Sequence, residues 1–177
     1  MRFGWIGIVA AAVTVSGCAH SAEDNARYMA GHFRAQADLR TSTGADAGKA
    51  VAEEVDGGIR LIVDAKGLPR GEHGAHIHTV GKCDAPDFAS AGGHWNPTAN
   101  QHGLQNPAGP HAGDMPNLEI NKKGRGRFEA MLPAGTFDQL LDQDGAAIVI
   151  HAGPDDMKTD PSGNSGGRIA CGVFVAM

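Results

Sequence analysis

Apolar residues in this 177-residue chain recur with a period of two, which limits the fold more than any other feature of the sequence. Residues 33–40 and 59–65 alternate apolar with mostly polar side chains, a pattern typical of β-strands with one solvated face. The apolar positions in 118–120 and 128–132 flank NKKGRG, as the two strands of a hairpin would. The alternation therefore predicts antiparallel strands.

Two further segments, 146–151 and 170–175, are short apolar runs that fit more deeply buried strands. The chain shows no sustained helical periodicity and no internal repeats. Its 26 glycines, its 9 prolines and its low aromatic content of 5% suit short strands joined by many loops. We therefore predict one all-β domain with an antiparallel arrangement of about eight strands.

The chain begins with MRFGWIGIVAAAVTVSGCAH, in which one arginine precedes an uncharged apolar run from Phe3 to Val15. This run is shorter than the roughly 20 apolar residues of a membrane-spanning helix, so residues 1–17 are predicted to be a signal peptide. VSGC resembles a bacterial lipobox, which would make Cys18 an acylated first residue and 18–30 a tether before a domain at 31–177. The alternative is an ordinary secretory signal with an incidental cysteine.

The cysteine count is consistent with export. Of three cysteines, Cys83 and Cys171 remain as a pair once Cys18 is set aside. An oxidising compartment would allow this pair to close a loop of 171 − 83 = 88 residues. Such a crosslink stabilises a fold by about 2 to 5 kcal/mol, whereas the alternative is two unpaired buried thiols.

Three histidines lie in the short stretch GEHGAHIH, and histidine is the commonest metal ligand. If AHIHTV is a strand, His76 and His78 point to the same face and can reach one ion, while His73 precedes the strand and points elsewhere. His151 ends another apolar strand and could lie beside that pair. Three imidazoles so placed favour copper or zinc, although two histidines on a solvated strand face can also arise by chance.

Two long segments, 81–116 and 152–168, do not follow the strand pattern. Loops beyond about 12 to 15 residues are uncommon in compact domains unless they are functional or disordered. The first contains two imidazoles and a carboxylate, at His102, His111 and Asp114, with His94 near its middle. Nitrogen and carboxylate ligands in a closed tetrahedron are typical of structural zinc, which would hold the loop in place.

Five segments, in this order, resemble the bacterial copper/zinc superoxide dismutases and cover most of the chain from residue 33. They are GEHGAHIH, CDAPDFASAGGHWNP, QHGLQNPAGPHAGDMPNL, VIHAGPDD and GGRIACGV. The resemblance implies a Greek-key β-sandwich or barrel with two long functional loops. It also implies a periplasmic location and a disulfide between Cys83 and Cys171.

The resemblance assigns a role to each candidate site residue. It implies that copper is bound by His76, His78, His94 and His151. It implies that zinc is bound by His94, His102, His111 and Asp114. His94 would bridge the two ions, Asp155 would link His76 to His102, and His73 would tie its strand to a neighbouring loop. Arg168 matches the family's active-site arginine, which attracts the substrate anion; the alternative is an ordinary surface arginine.

The implied function is the dismutation of superoxide to dioxygen and hydrogen peroxide, by alternate reduction and oxidation of the copper. His94 would release the reduced copper and hold a proton for the product. The alternatives are a non-catalytic periplasmic copper/zinc-buffering protein and an anchored domain that keeps its metals for stability. The net charge of −5, without a basic stretch, argues against nucleic-acid binding. We expect a monomer or homodimer that contacts a membrane only through Cys18.

Overall fold

The computed structural model describes residues 33–132 and 134–177, so the signal peptide predicted at 1–17 and the tether predicted at 18–30 lie outside the described residues. The strands are β1 (Arg34–Thr41), β2 (Asp46–Val55), β3 (Gly58–Lys66), β4 (Gly71–His73), β5 (Ala75–His78), β6 (Leu118–Ile120), β7 (Arg125–Leu132), β8 (Ala147–His151) and β9 (Arg168–Ala176). The helical segments are a 3-10 turn at Ala89–Ala91 and one short α-helix, α1 (Phe137–Leu140), which precedes β8. The described part of the chain is thus mostly β, as predicted.

Seven strands form one antiparallel sheet in the order β5-β8-β9-β1-β2-β3-β7, and β4 pairs with β6 in a second, two-stranded sheet. The pairings of β1 with β9, β3 with β7 and β5 with β8 require the crossing connections of a Greek key. The predicted all-β antiparallel class is therefore confirmed. The described residues form nine strands rather than about eight; Gly74 separates β4 from β5 by donating its N–H to the carbonyl of Gly153 instead of to a sheet neighbour.

The core forms on the inner face of the curled sheet, where the alternating apolar residues meet. Ala35, Ala37 and Leu39 of β1 are fully buried, while the side chains between them face outward. All five residues of β8 are buried, which agrees with the continuous apolar run in the sequence. Strand β8 therefore carries its terminal residue, His151, into the interior of the molecule.

Two long connections lie outside the sheet, 79–117 between β5 and β6 and 152–167 between β8 and β9. The disulfide between Cys83 and Cys171 is present, with Cα atoms 5.7 Å apart, and it fixes the start of the first loop to β9. Within 33–132 and 134–177, no helix has the length and apolar character needed to cross a bilayer.

Candidate metal centre

Strands β5 and β8 place three histidines next to one another. The antiparallel register sets Ala75 opposite Ile150, and the His151 N–H donates to the carbonyl of Gly74 at 2.8 Å. Because side chains alternate along a strand, His76 and His78 share one face of β5. Their rings lie 4.8 and 5.7 Å from that of His151, so the structure brings these three residues together.

The loop 79–117 folds back against the free edge of β5 and brings in a fourth histidine. The Trp95 N–H donates to the Ile77 carbonyl at 2.8 Å, and the Ile77 N–H donates to the carbonyl of Gly113 at 3.0 Å. A Cβ at position 113 would collide with the Ile77 carbonyl, so only glycine permits this close approach. The docked loop sets His94 beside His78 in an isolated β-bridge.

One group of side chains, the four-histidine cluster, is close enough to hold a metal ion. It comprises His76, His78, His94 and His151. One nitrogen of each ring is buried with no hydrogen-bond partner among the described residues, and these are His76 Nδ1, His78 Nε2, His94 Nε2 and His151 Nε2. The ligand atoms lie within 4.8 Å of one another. Buried polar atoms almost always have a hydrogen-bond partner. Four unpartnered nitrogens that lie this close together therefore indicate a ligand that they share.

In each ring of this cluster, the nitrogen that faces away from the other three histidines lies beside a carbonyl or carboxylate oxygen. His78 Nδ1 lies 2.9 Å from the Gly92 carbonyl, and His151 Nδ1 lies 3.1 Å from the Gly166 carbonyl. A carbonyl can only accept, so each of these nitrogens carries the proton and leaves a lone pair on Nε2. The lone pairs therefore point inward before any ion binds.

A second group, the loop cluster, adjoins the first. It comprises His94, His102, His111 and Asp114. Asp114 Oδ1 lies 2.9 Å from His94 Nδ1, 3.0 Å from His102 Nδ1 and 3.3 Å from His111 Nδ1. The edge of a tetrahedron with bonds of 2.0 to 2.1 Å is about 3.3 to 3.4 Å, so the cluster approaches the dimensions of a zinc site. His94 presents Nδ1 to this cluster and Nε2 to the other, which makes it the shared member.

Burial controls the charge of the four-histidine cluster. It disfavours protonation and lowers the pKa of His76 to about 4, that of His78 to about 2 and that of His151 to about 3. These imidazoles are therefore neutral near pH 7, which is the form that binds metals.

In the loop cluster, burial lowers the pKa of His111, whereas His102 has the opposite balance of charge. Burial opposes protonation of His102, but the carboxylates of Asp114 and Asp155 outweigh it and raise the pKa of His102 to about 9. Hydrogen bonds from the histidines hold the pKa of both carboxyl groups well below its usual range, against the effect of burial. His102 is therefore protonated near pH 7 when no ion is bound.

Asp155 contacts one histidine of each cluster, at the ring nitrogen that faces away from that cluster. Its Oδ2 lies 2.6 Å from His76 Nε2, and its Oδ1 lies 3.1 Å from His102 Nε2. Asn117 fixes the backbone of Asp155 by donating to its carbonyl at 3.0 Å and accepting its N–H at 2.8 Å. Although His76, His102 and Asp155 could themselves surround an ion, these contacts use the carboxylate to orient the two rings.

His73 lies outside both clusters, on β4. Its Nδ1 lies 2.8 Å from the carbonyl of His151, and its Nε2 lies 2.9 Å from the carbonyl of Pro69. The ring therefore joins β8 to the turn before β4.

Arg168 lies at the start of β9, near the four-histidine cluster. Its Nη1 donates to the Phe88 carbonyl at 2.6 Å and its Nη2 donates to the Gly92 carbonyl at 2.7 Å. Gly92 also accepts the hydrogen bond from His78, so one carbonyl joins the guanidinium to the cluster. Burial is the main cause of the lowered pKa of His78, and the positive charge of Arg168 lowers it further.

Three residues of this centre were not identified from the sequence. Asn117 holds Asp155, and the Asp160 carboxylate accepts the backbone N–H of His102 at 2.6 Å. A Cβ at Gly163 would overlap the Asp155 carboxylate, so this glycine makes room for it. The position of Gly163 within the glycine-rich GNSGG was the available signal, whereas Asn117 and Asp160 have none in a single sequence.

Comparison with known proteins agrees with this geometry. The family model of copper/zinc superoxide dismutase matches residues 46–174. A superoxide dismutase [Cu-Zn] of Aquifex aeolicus is 46% identical over 151 residues, covering 82% of this chain and 89% of that protein.

Solved structures agree as well. A superoxide dismutase-like protein from Bacillus subtilis superposes with a TM-score of 0.76 at 39% identity, covering 81% of this chain and 99% of that chain. The Cu/Zn superoxide dismutase of Brucella abortus gives a TM-score of 0.66 at 27% identity, over 79% of this chain and 98% of that one.

Proposed function

Because the chain belongs to the copper/zinc superoxide dismutase family, we propose that the four-histidine cluster holds its copper and the loop cluster its zinc. The chain is an enzyme that dismutates superoxide to dioxygen and hydrogen peroxide, with copper and zinc as cofactors. The single observation that supports the copper assignment is the set of four buried nitrogens without partners. An all-nitrogen site suits copper, whereas the added carboxylate and near-tetrahedral spacing suit zinc.

The copper supplies one-electron redox chemistry when bound, and the zinc supplies fixed positive charge without redox chemistry. His94 joins the two sites through its two ring nitrogens. A neutral imidazole has only one free lone pair, so it can act as a ligand at both nitrogens only after losing its proton. When Nε2 is not a ligand, it is the atom on which His94 holds a proton for the product peroxide.

Arg168 draws the substrate to the centre. A guanidinium has five N–H donors, and the Phe88 and Gly92 carbonyls take two of them. The remaining donors can bind the superoxide anion beside the four-histidine cluster. The two carbonyls fix the orientation of the guanidinium in advance, so that it can hydrogen-bond the anion beside the cluster as well as attract it. A metal-buffering protein would have no use for an anion-binding cation in this position.

The ligand assignment is tested by metal analysis of protein loaded with both ions. The wild type is expected to hold about one copper and one zinc per chain, since the two clusters share only His94. His78→Ala should lose copper and keep zinc, whereas His111→Ala should lose zinc first. Zinc found in both positions of the wild type under copper-replete conditions would contradict the assignment.

We also propose that the protein is exported to the periplasm and anchored by a lipid on Cys18. Support comes from the apolar run after Arg2, from VSGC, and from the Cys83–Cys171 disulfide, which fits an oxidising compartment. Cys18→Ser should release the protein from membranes without altering its activity per bound copper. A wild-type protein found wholly in the soluble fraction would refute the anchor.

A further inference from the structure

The carboxylate of Asp160 contacts two members of the loop cluster from the neighbouring loop, 152–167. Its Oδ1 accepts the backbone N–H of His102 at 2.6 Å and lies 3.7 Å from Nε2 of His111. The side chain of Asp160 is about half exposed, at 51%. It faces Nε2 of His111, whereas Asp114 faces Nδ1 of the same ring. It is therefore placed to orient these residues rather than to act as a ligand.

The orientation of the His111 ring explains the second contact. His111 Nδ1 lies 3.3 Å from Asp114 Oδ1 and 3.4 Å from His94 Nδ1, so Nδ1 is the atom that faces the cluster. Once Nδ1 acts as a ligand, the proton of the neutral ring must be on Nε2, which faces Asp160. A carboxylate in that position stabilises the ring orientation and increases the basicity of the ligand.

Backbone contacts hold the segment that carries Asp160 against the loop cluster. Asn106 Nδ2 donates to the His102 carbonyl at 2.9 Å and lies 3.3 Å from the carbonyl of Lys158. The Gln105 N–H donates to the carbonyl of Met157 at 2.9 Å. The loop 152–167 is thus fixed beside residues 102–106, and Asp160 projects from it toward two histidines at once.

We propose that Asp160 is a positioning residue for the zinc site, which fixes the backbone of His102 and the ring of His111. The proposal rests on the assignment of zinc to the loop cluster. Asp160 acts on Nε2 of His111 as Asp155 acts on Nε2 of His102. The two long loops therefore depend on each other, because the loop after β8 supplies the groups that orient the ligands of the loop after β5.

The test measures zinc binding in copper-free protein by competition with a chelator, and the absorption spectrum of Co²⁺ placed in the zinc site. Asp160→Ala should weaken zinc binding by about 10- to 100-fold and shift the cobalt bands, because the ligands lose their orientation. Asp160→Asn keeps an acceptor oxygen for His102 but is a weaker acceptor for His111. It should show a smaller but measurable loss. Asp56→Ala removes an exposed carboxylate in the turn after β2 and should change neither quantity.

Wild-type zinc affinity and an unchanged cobalt spectrum in either Asp160 variant would overturn the proposal. A loss in Asp160→Asn as large as that in Asp160→Ala would also overturn it, since the acceptor oxygen would then have no role. If Asp160→Ala does not fold, Asp160→Asn decides by the same criterion. Failure of the wild type itself to bind zinc would instead refute the zinc site, so the two failures are distinguishable.

Discussion

His76 Nε2 lies 2.6 Å from Asp155 Oδ2, and both side chains are almost wholly buried although 79 residues separate them in the chain. This contact fixes which nitrogen of His76 faces the four-histidine cluster. The other oxygen of the same carboxylate contacts His102 of the loop cluster at 3.1 Å. One buried side chain therefore orients a ligand in each proposed site.

Replacing this carboxylate should weaken both metals together. Asp155→Asn keeps the size of the side chain but puts an amide NH₂ where one histidine needs an acceptor, so we expect affinities for copper and zinc to fall by about 10- to 100-fold. Chelator competition with each metal gives the measurement. Asp156→Asn alters the adjacent carboxylate, which bonds to Thr159 and Asn164 of its own loop, and should leave both affinities near wild type. Loss of only one metal in Asp155→Asn would show that the residue does not couple the sites.

Gly163 offers a steric test of the same connection. Its φ is +61°, and an added Cβ would overlap the Asp155 carboxylate and lie 2.7 Å from His102 Nε2. Gly163→Ala should therefore displace Asp155 and reduce the retention of copper and zinc. Gly44→Ala is the matched control, because its φ of +81° is also positive but a Cβ there has no heavy atom within 4 Å. Equal metal contents in the two variants would show that Asp155 can move without consequence.

The metal-free protein should lose stability as the pH falls below about 6.5. In the folded state His76, His78 and His151 stay neutral down to pKa values of about 4, 2 and 3, whereas the unfolded chain protonates them near the ordinary value of 6.5. The unfolded state then binds more protons, so the free energy of unfolding decreases as acid is added. His102, with a pKa of about 9, takes up its proton in the folded state between pH 9 and 6.5, so its stabilising contribution is complete at pH 6.5 and does not change further below it.

Denaturant titrations of the metal-free protein between pH 4 and 8 measure this balance. The four lowered histidine pKa values, those of His76, His78, His111 and His151, predict a decrease in the free energy of unfolding below pH 6.5, where the contribution of His102 is constant. Replacing His78 by Gln should make the dependence shallower. A free energy of unfolding that is constant or rises between pH 6.5 and 4 would contradict the buried, neutral state of these imidazoles.

Replacing Arg168 should lower the rate of superoxide consumption and leave the content of copper and zinc unchanged. Arg168→Ala leaves every proposed ligand in place but removes a charge-assisted contact of roughly 1.5 to 3 kcal/mol, which would slow superoxide consumption per bound copper by about one to two orders of magnitude. Solvent screening makes the loss smaller at high salt. Arg127→Ala on β7, where the side chain is 61% exposed, is the control. Equal rates and equal salt dependence in wild type and Arg168→Ala would remove Arg168 from the mechanism.

Much of the fold could be predicted from the sequence, because apolar and polar residues alternate along a strand that has one buried face. Strand β2 was not predicted, since Ala52 and Glu53 are adjacent yet both buried. Glu53 tolerates this position because Arg34 and Arg60 both form ion pairs with it. These partners come from β1 and β3, so the exception to the alternation depends on tertiary contacts that local periodicity does not contain.

The candidate site, too, was only partly predictable from the sequence. The period of a strand places His76 and His78 together, but the contact of His94 with them depends on how the loop docks along β5. That position was predicted only through the resemblance to a family. Asp160 and Asn117 act through contacts between two loops, and neither periodicity nor residue type marks such contacts in one sequence.

The most direct test of the central claim is the rate of superoxide consumption measured against copper occupancy. Protein with its zinc site filled is loaded with copper in steps, and each sample is assayed with and without cyanide. We predict a cyanide-sensitive rate that rises in proportion to bound copper, up to about one copper per chain, and that is absent in His78→Ala. A fully loaded wild-type protein that consumes superoxide no faster than the metal-free protein would contradict catalysis at the four-histidine cluster and leave metal buffering as the function.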